Sequence, residues 1–261
     1  MGLPHADPVT FLALRYVIVV VLLAAVAAVL RPPLPRGRTE WAHLAVVGLL
    51  LQASYFALLY LALGHVAPAV AALIVSLQPV LVALLAPSTV GEHVPLARWA
   101  GLLLGLVGAA AVIVVRADDG AADAAGIALA VASLLAITSA TLYENRFGAE
   151  HHPVTGNLVQ CAVALVATGA VALIAEDLRV QWTGELVISL TYLVLGNSIV
   201  SITLLLAMVR RGTASQVSAL FFLVPPLAAL IAWAVLGEAL PALAWVGMAI
   251  ATVGVAIATR R

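Results

Sequence analysis

Residues 9–30 read VTFLALRYVIVVVLLAAVAAVL. Apart from Thr10, Arg15 and Tyr16, every side chain in this stretch is apolar. A helix rises 1.5 Å per residue, so the stretch is long enough for the roughly 30 Å hydrocarbon core of a bilayer. A secretory signal would have a shorter apolar region and a basic segment before it. Neither feature is present, so the stretch reads as a membrane-spanning helix.

The same signal recurs along the chain. Eight further apolar segments follow at 43–63, 67–86, 96–115, 126–143, 154–175, 186–208, 214–236 and 241–258. They are continuous runs rich in Ala, Leu and Val, not the short alternating segments of a membrane barrel. Of the 261 residues 64% are hydrophobic and 9% charged, against roughly 25% charged in soluble domains. So few charges cannot cover so much apolar surface, so the solvent for most of the chain is lipid. The predicted fold is an all-α polytopic membrane protein with nine visible spans. A net charge of zero argues against a nucleic-acid partner. One cysteine, Cys161, excludes an internal disulfide framework and reads as a small packing residue.

Arginine placement predicts orientation. With loops alternating between sides, one side receives Arg31, Arg36, Arg38, Arg98, Arg146, Arg210, Arg211, Arg260 and Arg261. The other receives Arg116 and Arg179 beside Asp118, Asp119, Asp123, Glu176 and Asp177. The positive-inside rule puts the first group, and the carboxy terminus, in the cytoplasm. The expected location is the plasma membrane.

The chain also repeats itself. At an offset of 146, Leu77-x-Pro79 matches Leu223-x-Pro225, and Gly91-Glu92 matches Gly237-Glu238. Pro95, Trp99, Gly101 and Gly108 match Pro241, Trp245, Gly247 and Gly254. Pro8-Val9-Thr10 matches Pro153-Val154-Thr155 at offset 145. Two copies are expected, at 1–116 and 126–261, joined by an external linker at 117–125. Before Pro153 the second copy has a whole helix, and before Pro8 the first has seven residues. The expected unit therefore has five helices, with the first helix of the first copy absent and a start upstream of Met1 as one source for it. An odd number of helices forces the copies into the membrane in opposite orientations, the inverted repeat common in secondary transporters.

These residues resemble the drug/metabolite transporter superfamily, specifically its EamA-type ten-helix members. The likeness is carried by Ala13-Leu14-Arg15-Tyr16, by Tyr55 to Pro79, and by Gly91-Glu92, Gly101 and Gly108. It continues from Ser198 through Pro225 to Gly237-Glu238, Gly247 and Gly254. The resemblance implies export or exchange of small metabolites or drugs by alternating access, through a central cavity that the family's first helix helps to close.

Arg15 is the only charge well inside a span, where an ionised side chain costs a few kcal/mol. It is expected either to contact an anion or gate partner, or to snorkel to the headgroups. Tyr55, Gln78, Asn157, Asn197 and Gln216 lie within spans and are candidates to line a substrate cavity. The structural alternative for such groups, and for Gln52, Tyr60, Thr141 and Gln160, is hydrogen bonding between helices. Pro79 and Pro225 free the carbonyls of Val75 and Phe221 and are hinge candidates. Gly91 and Gly237 are expected to end helices, with Glu92 and Glu238 at the amides of the next helix start; proton coupling through these carboxylates is the alternative. Gly101, Gly105 and Gly108 form a small-residue face, partly repeated by Gly247 and Gly254. It suits helix packing, or pairing of two copies in a homodimer.

No HExxH, no GxSxG and no Schiff-base lysine occurs, so a membrane protease or a retinal protein is not indicated. No pattern calls for a metal or a cofactor. The expected partners are a small-molecule substrate and the bilayer. The alternative to a carrier is a non-transporting membrane scaffold or receptor.

Overall fold

The computed structural model describes residues 5–115, 123–147, 152–196, 219–223, 227, 230 and 242–259. These residues are almost entirely helical. An isolated antiparallel bridge between Ala6 and Val180 is the only β pairing among them. Five helices, Pro8–Leu30, Arg38–Ala62, Val70–Thr89, Ala124–Phe147 and Pro153–Ala175, are long and apolar enough to cross a membrane. The chain is an all-α polytopic membrane protein, and shorter apolar helices accompany these five.

The element boundaries follow local chemistry. Helix α1 (Pro8–Leu30) opens with a proline in its first turn, where the missing N–H costs nothing. It ends on the left-handed Arg31, whose N–H reaches Ala27 O. Helix α2 (Arg38–Val47) starts before the apolar run predicted at 43, because Glu40 sits in its first turn and accepts from the Arg36 amide. Residues Gly48–Ser54 then form a π-helical segment, and α3 (Tyr55–Ala62) completes the span.

The third span is broken. Helix α4 (Pro68–Val75) stops at Ser76, whose N–H reaches Ala72 O, and Leu77 N–H tightens onto Ile74 O. Helix α5 (Gln78–Thr89) starts afresh, with Val80 and Leu81 both donating to Leu77 O. Pro79 therefore stands in the first turn of a new helix, not inside a bent continuous one. At the end of α5, Gly91 adopts φ 69°, and the amides of Val90 and Glu92 both close on Ala86 O. The remaining helices are α6 (Leu96–Val115), α7 (Ala124–Phe147), α8 (Pro153–Ala175), α9 (Gly184–Tyr192) and α10 (Ala242–Ala258), with a 3-10 turn at Leu220–Leu223. The span expected at 214–236 lies mostly outside the described residues.

Contacts divide the chain into two compact units. The first joins residues 1–61 with 143–211, and the second joins 62–142 with 212–261. Each unit thus draws helices from both halves of the sequence.

In the first unit α1 packs antiparallel on α8. The Glu176 carboxylate, just past the end of α8, accepts from the amides of Val9 (2.8 Å) and Thr10 (2.7 Å) and from the Thr10 hydroxyl (2.7 Å). At the other end Thr155 donates its hydroxyl to Pro33 O. The π-helical segment also rests on α8. A Cβ on Gly48 would meet the Gln160 backbone at 2.8 Å, so only glycine permits this approach.

In the second unit α6 packs antiparallel on α10. A Cβ on Gly101 would lie 2.7 Å from Gly254 O, and one on Gly254 would lie 2.7 Å from Gly101 O. Gly108 and Gly247 show the same reciprocity, at 2.6 and 2.8 Å. The small-residue face expected from the sequence is thus taken up within the chain. Gly105 receives the buried Phe222 ring, which belongs to a core with Ala83, Leu102, Ala109 and Val255. Asp123 caps α7 by accepting from Gly126 N–H at 2.6 Å, and its other oxygen meets His65 Nδ1 at 3.0 Å.

Candidate functional site

Polar side chains in a lipid-embedded helix point inward, because hydrocarbon offers them no partner. In α1 the buried set includes Leu12, Arg15, Tyr16, Val19 and Leu23, a face at helical spacing. Arg15 is fully buried on that face. Its guanidinium lies 4.3 Å from the centroid of the Phe56 ring and 5.2 Å from that of Tyr16, with Nη1 3.5 Å from the Tyr60 hydroxyl. Snorkelling is thereby replaced by an inward arrangement. The face of an aromatic ring is negative, so stacking partly offsets the cost of removing the cation from water.

The aromatic surround is built by two turns of α3. Phe56 packs on Tyr55 at 4.7 Å and edge-on to Tyr60 at 6.2 Å, while Phe11 of α1 meets Tyr60 at 6.1 Å. Tyr55, a predicted cavity residue, is half-buried at the border of this cluster.

The π-helical segment shapes the floor. Tyr16 donates its hydroxyl to the carbonyl of Gln52 at 2.5 Å and lies 3.3 Å from the Gln52 side-chain oxygen. A π turn shifts the backbone ladder and makes room for such a contact. Gln52 and Gln160 are both fully buried. The Gln52 amide nitrogen and both polar atoms of the Gln160 side chain have no hydrogen-bond partner among the described residues. Asn157, another predicted candidate, is buried in α8 and accepts from Cys161 Sγ at 3.3 Å. Cys161 is itself buried, as a packing residue should be.

Gln78 lies in the second unit. It is buried at the start of α5 and donates to the Thr141 hydroxyl at 3.2 Å, a contact between α5 and α7. Glu92 receives Arg98 of the first turn of α6 in an ion pair at 2.5 Å, with both side chains about one-tenth exposed or less. The Gly-Glu motif therefore joins two successive helices through a side-chain partner that sequence spacing did not identify. Asn197, Gln216, Pro225, Gly237 and Glu238 lie outside the described residues.

Sequence reading missed Tyr16, Phe56 and Glu176. Phe56 merges with the apolar run, and Tyr16 stood out as polar in the first span without a partner to give it a role. The available signal for Tyr16 was its place beside Arg15 on a stripe continuing to Val19 and Leu23. Glu176 is separated from its partners by more than 160 residues, and nothing local reveals the contact.

Buried cationic and amide side chains inside an all-helical, lipid-embedded bundle define a polytopic membrane protein with a polar interior. The EamA-like transporter family model matches residues 1–114 and 124–260, and the chain belongs to that family. It is a multi-pass membrane transporter. The chain is 27% identical over 265 residues to the "WAT1-related protein At3g02690, chloroplastic" of Arabidopsis thaliana, covering 97% of this chain and 63% of that protein. It is 29% identical to the "Probable terminal-alkyne amino-acid exporter" of Streptantibioticus cattleyicolor, over 95% of this chain and 82% of the relative. The "Uncharacterized transporter YvbV" of Bacillus subtilis matches at 25% over 86% of this chain and 73% of its own. A protein of known crystal structure aligns with a TM-score of 0.81 at 21% identity, covering 97% of this chain and 87% of its own. At that identity the likeness speaks for the fold alone.

Proposed function

We propose that this transporter exports or exchanges small organic metabolites bearing an anionic group, by alternating access, in the plasma membrane with its carboxy terminus in the cytoplasm. The observation that carries the reading is Arg15, a cation fully buried in a bilayer-spanning unit and cradled by Phe56, Tyr16 and Tyr60. Intramembrane ionisable residues cost free energy and are retained for function. Gln52 and Gln160 add buried amide groups that a polar solute can satisfy. The relative named as an amino-acid exporter supports a solute with a carboxylate.

Two inverted copies, 1–116 and 126–261, joined by 117–125, supply the mechanics of this proposal. Their support is the antiparallel pairing of equivalent helices within each unit. Gly101 meets Gly254 and Gly108 meets Gly247, so each of Gly101 and Gly108 faces the other's repeat partner. Such self-complementary exchange is the mark of a two-fold relation. Opposed repeats that rock about a site give alternating access.

The test is solute flux in proteoliposomes, screened first with amino acids and other small carboxylates. Saturable flux is expected for at least one of them. A hydrogen bond to a charged group contributes about 1.5–3 kcal/mol, so Arg15→Gln should raise KM roughly ten- to hundred-fold for the anionic solute. No saturable flux of any anionic solute, or an Arg15→Gln variant with unchanged KM, overturns the reading.

A further inference from the structure

An apolar groove of about 780 Å³ runs between α2 and α8 in the first unit. Trp41, Ala45 and Leu49 form one wall and Ala162 and Val166 the other, with Leu34 at one end. Small alanines face each other across it, so the two helices do not fill the space between them. Thr155 also lines it, but its hydroxyl is turned to Pro33 O, which leaves the lining apolar. From Thr155 to Ala167 the α8 wall is about 18 Å long at 1.5 Å per residue. That is comparable with one leaflet of a hydrocarbon core roughly 30 Å thick.

Charge is concentrated at one end. The lining residues Leu34 and Trp41 bracket a segment holding the exposed Arg36 and Arg38, with Arg31 shortly before it. Glu40 is the one acid in the segment from Arg31 to Trp41, and its carboxylate accepts from the Arg36 backbone amide. Three arginines against one glutamate make the segment from Arg31 to Trp41 net positive. Trp41 lies one turn into α2, and indole rings favour the headgroup boundary of a bilayer.

We infer that the groove is a binding site for an anionic phospholipid, with one acyl chain between α2 and α8 and the phosphate at Arg36 and Arg38. The groove takes the chain because its walls are apolar and about one leaflet deep. The arginines select the headgroup, since basic side chains at the membrane surface attract anionic lipids and leave zwitterionic ones largely indifferent. The site is separate from the Arg15 cluster and independent of which solute is carried.

The experiment is native mass spectrometry of the full chain in detergent, titrated with phosphatidylglycerol or with phosphatidylcholine of the same acyl chains. Phosphatidylglycerol should bind at least roughly ten-fold more tightly, as expected for two surface arginines. The double variant Arg36→Gln/Arg38→Gln changes only exposed side chains and should abolish that preference. Ala162→Phe fills the groove and should weaken retention of phosphatidylglycerol with the arginines intact. Equal binding of the two lipids overturns the inference, as does a preference that survives the double arginine variant. Undiminished retention by Ala162→Phe shows that the chain does not occupy the groove and overturns it equally.

Discussion

The carbonyl oxygen of Gly101 lies 2.7 Å from where a Cβ on Gly254 would sit, and the carbonyl of Gly254 lies at the same distance from a Cβ on Gly101. The obstructing atoms are backbone, which has no rotamer to escape into. Gly101→Ala should therefore push α6 from α10 and destabilise the protein by about 1–3 kcal/mol. Gly169, in α8, has nothing within 4 Å of the point where a Cβ would sit. Gly169→Ala should be neutral or stabilising by about 0.5–1 kcal/mol through helix propensity. Thermal unfolding in detergent separates the two, and equal midpoints would refute the packing argument.

Glu176 holds the start of α1 by two amide hydrogen bonds and one hydroxyl hydrogen bond. A carboxylate at a helix N-terminus interacts favourably with the dipole as well. Glu176→Ala should cost about 1.5–3 kcal/mol. Hydrogen exchange should speed up at Phe11 and Leu12 while the α8 midpoint around Ala164 stays protected. Uniform acceleration across both helices would argue against a local cap.

Asp123 supplies a pH dependence. The Gly126 amide, and next the His65 side chain, hold its carboxyl below the usual value of 3.8. A depressed folded-state value means that the ionised form favours the native capped helix. The contribution is fully present above about pH 4 and is lost as pH falls through the lowered value. Amide exchange at Gly126 should be unchanged from about pH 7 to pH 5, after correction for intrinsic rates, and should accelerate below about pH 4. Asp123→Ala should exchange fast at every pH; a pH response persisting in that variant would assign the effect elsewhere.

Glu92 and Arg98 join α5 to α6 through a largely buried ion pair. Removing one partner of a buried pair strands the other charge, at about 3–5 kcal/mol. Arg98→Ala should destabilise by that order, whereas Glu92→Gln/Arg98→Met should recover part of the loss. A double variant no better than the worse single variant would show that the two side chains are not energetically coupled.

The membrane class and most span positions were legible in the sequence because hydrocarbon imposes a length and a composition on every crossing. Residues 9–30, 96–115 and 154–175 correspond to helices Pro8–Leu30, Leu96–Val115 and Pro153–Ala175. Glycines spaced at 101, 105 and 108 signalled a close helix contact. Periodicity was less informative than in a soluble protein. Val17, Ile18 and Val21 face outward and Leu12, Val19 and Leu23 inward, yet all are apolar, since lipid and core make the same demand.

The sequence by itself determined that this chain lives in lipid, roughly where it crosses, and that equivalent motifs recur 146 residues apart. Only the tertiary structure decided which face of each helix is inside, and so whether Arg15 reaches outward for headgroups or inward onto Phe56. It also decided that Pro79 begins a helix, that a π-helical turn meets Gln160, and that Glu176 caps α1. The physical reason is common to all of these. Burial in a bilayer depends on the local run of side chains, whereas the partner of each polar group is supplied by a helix distant in sequence.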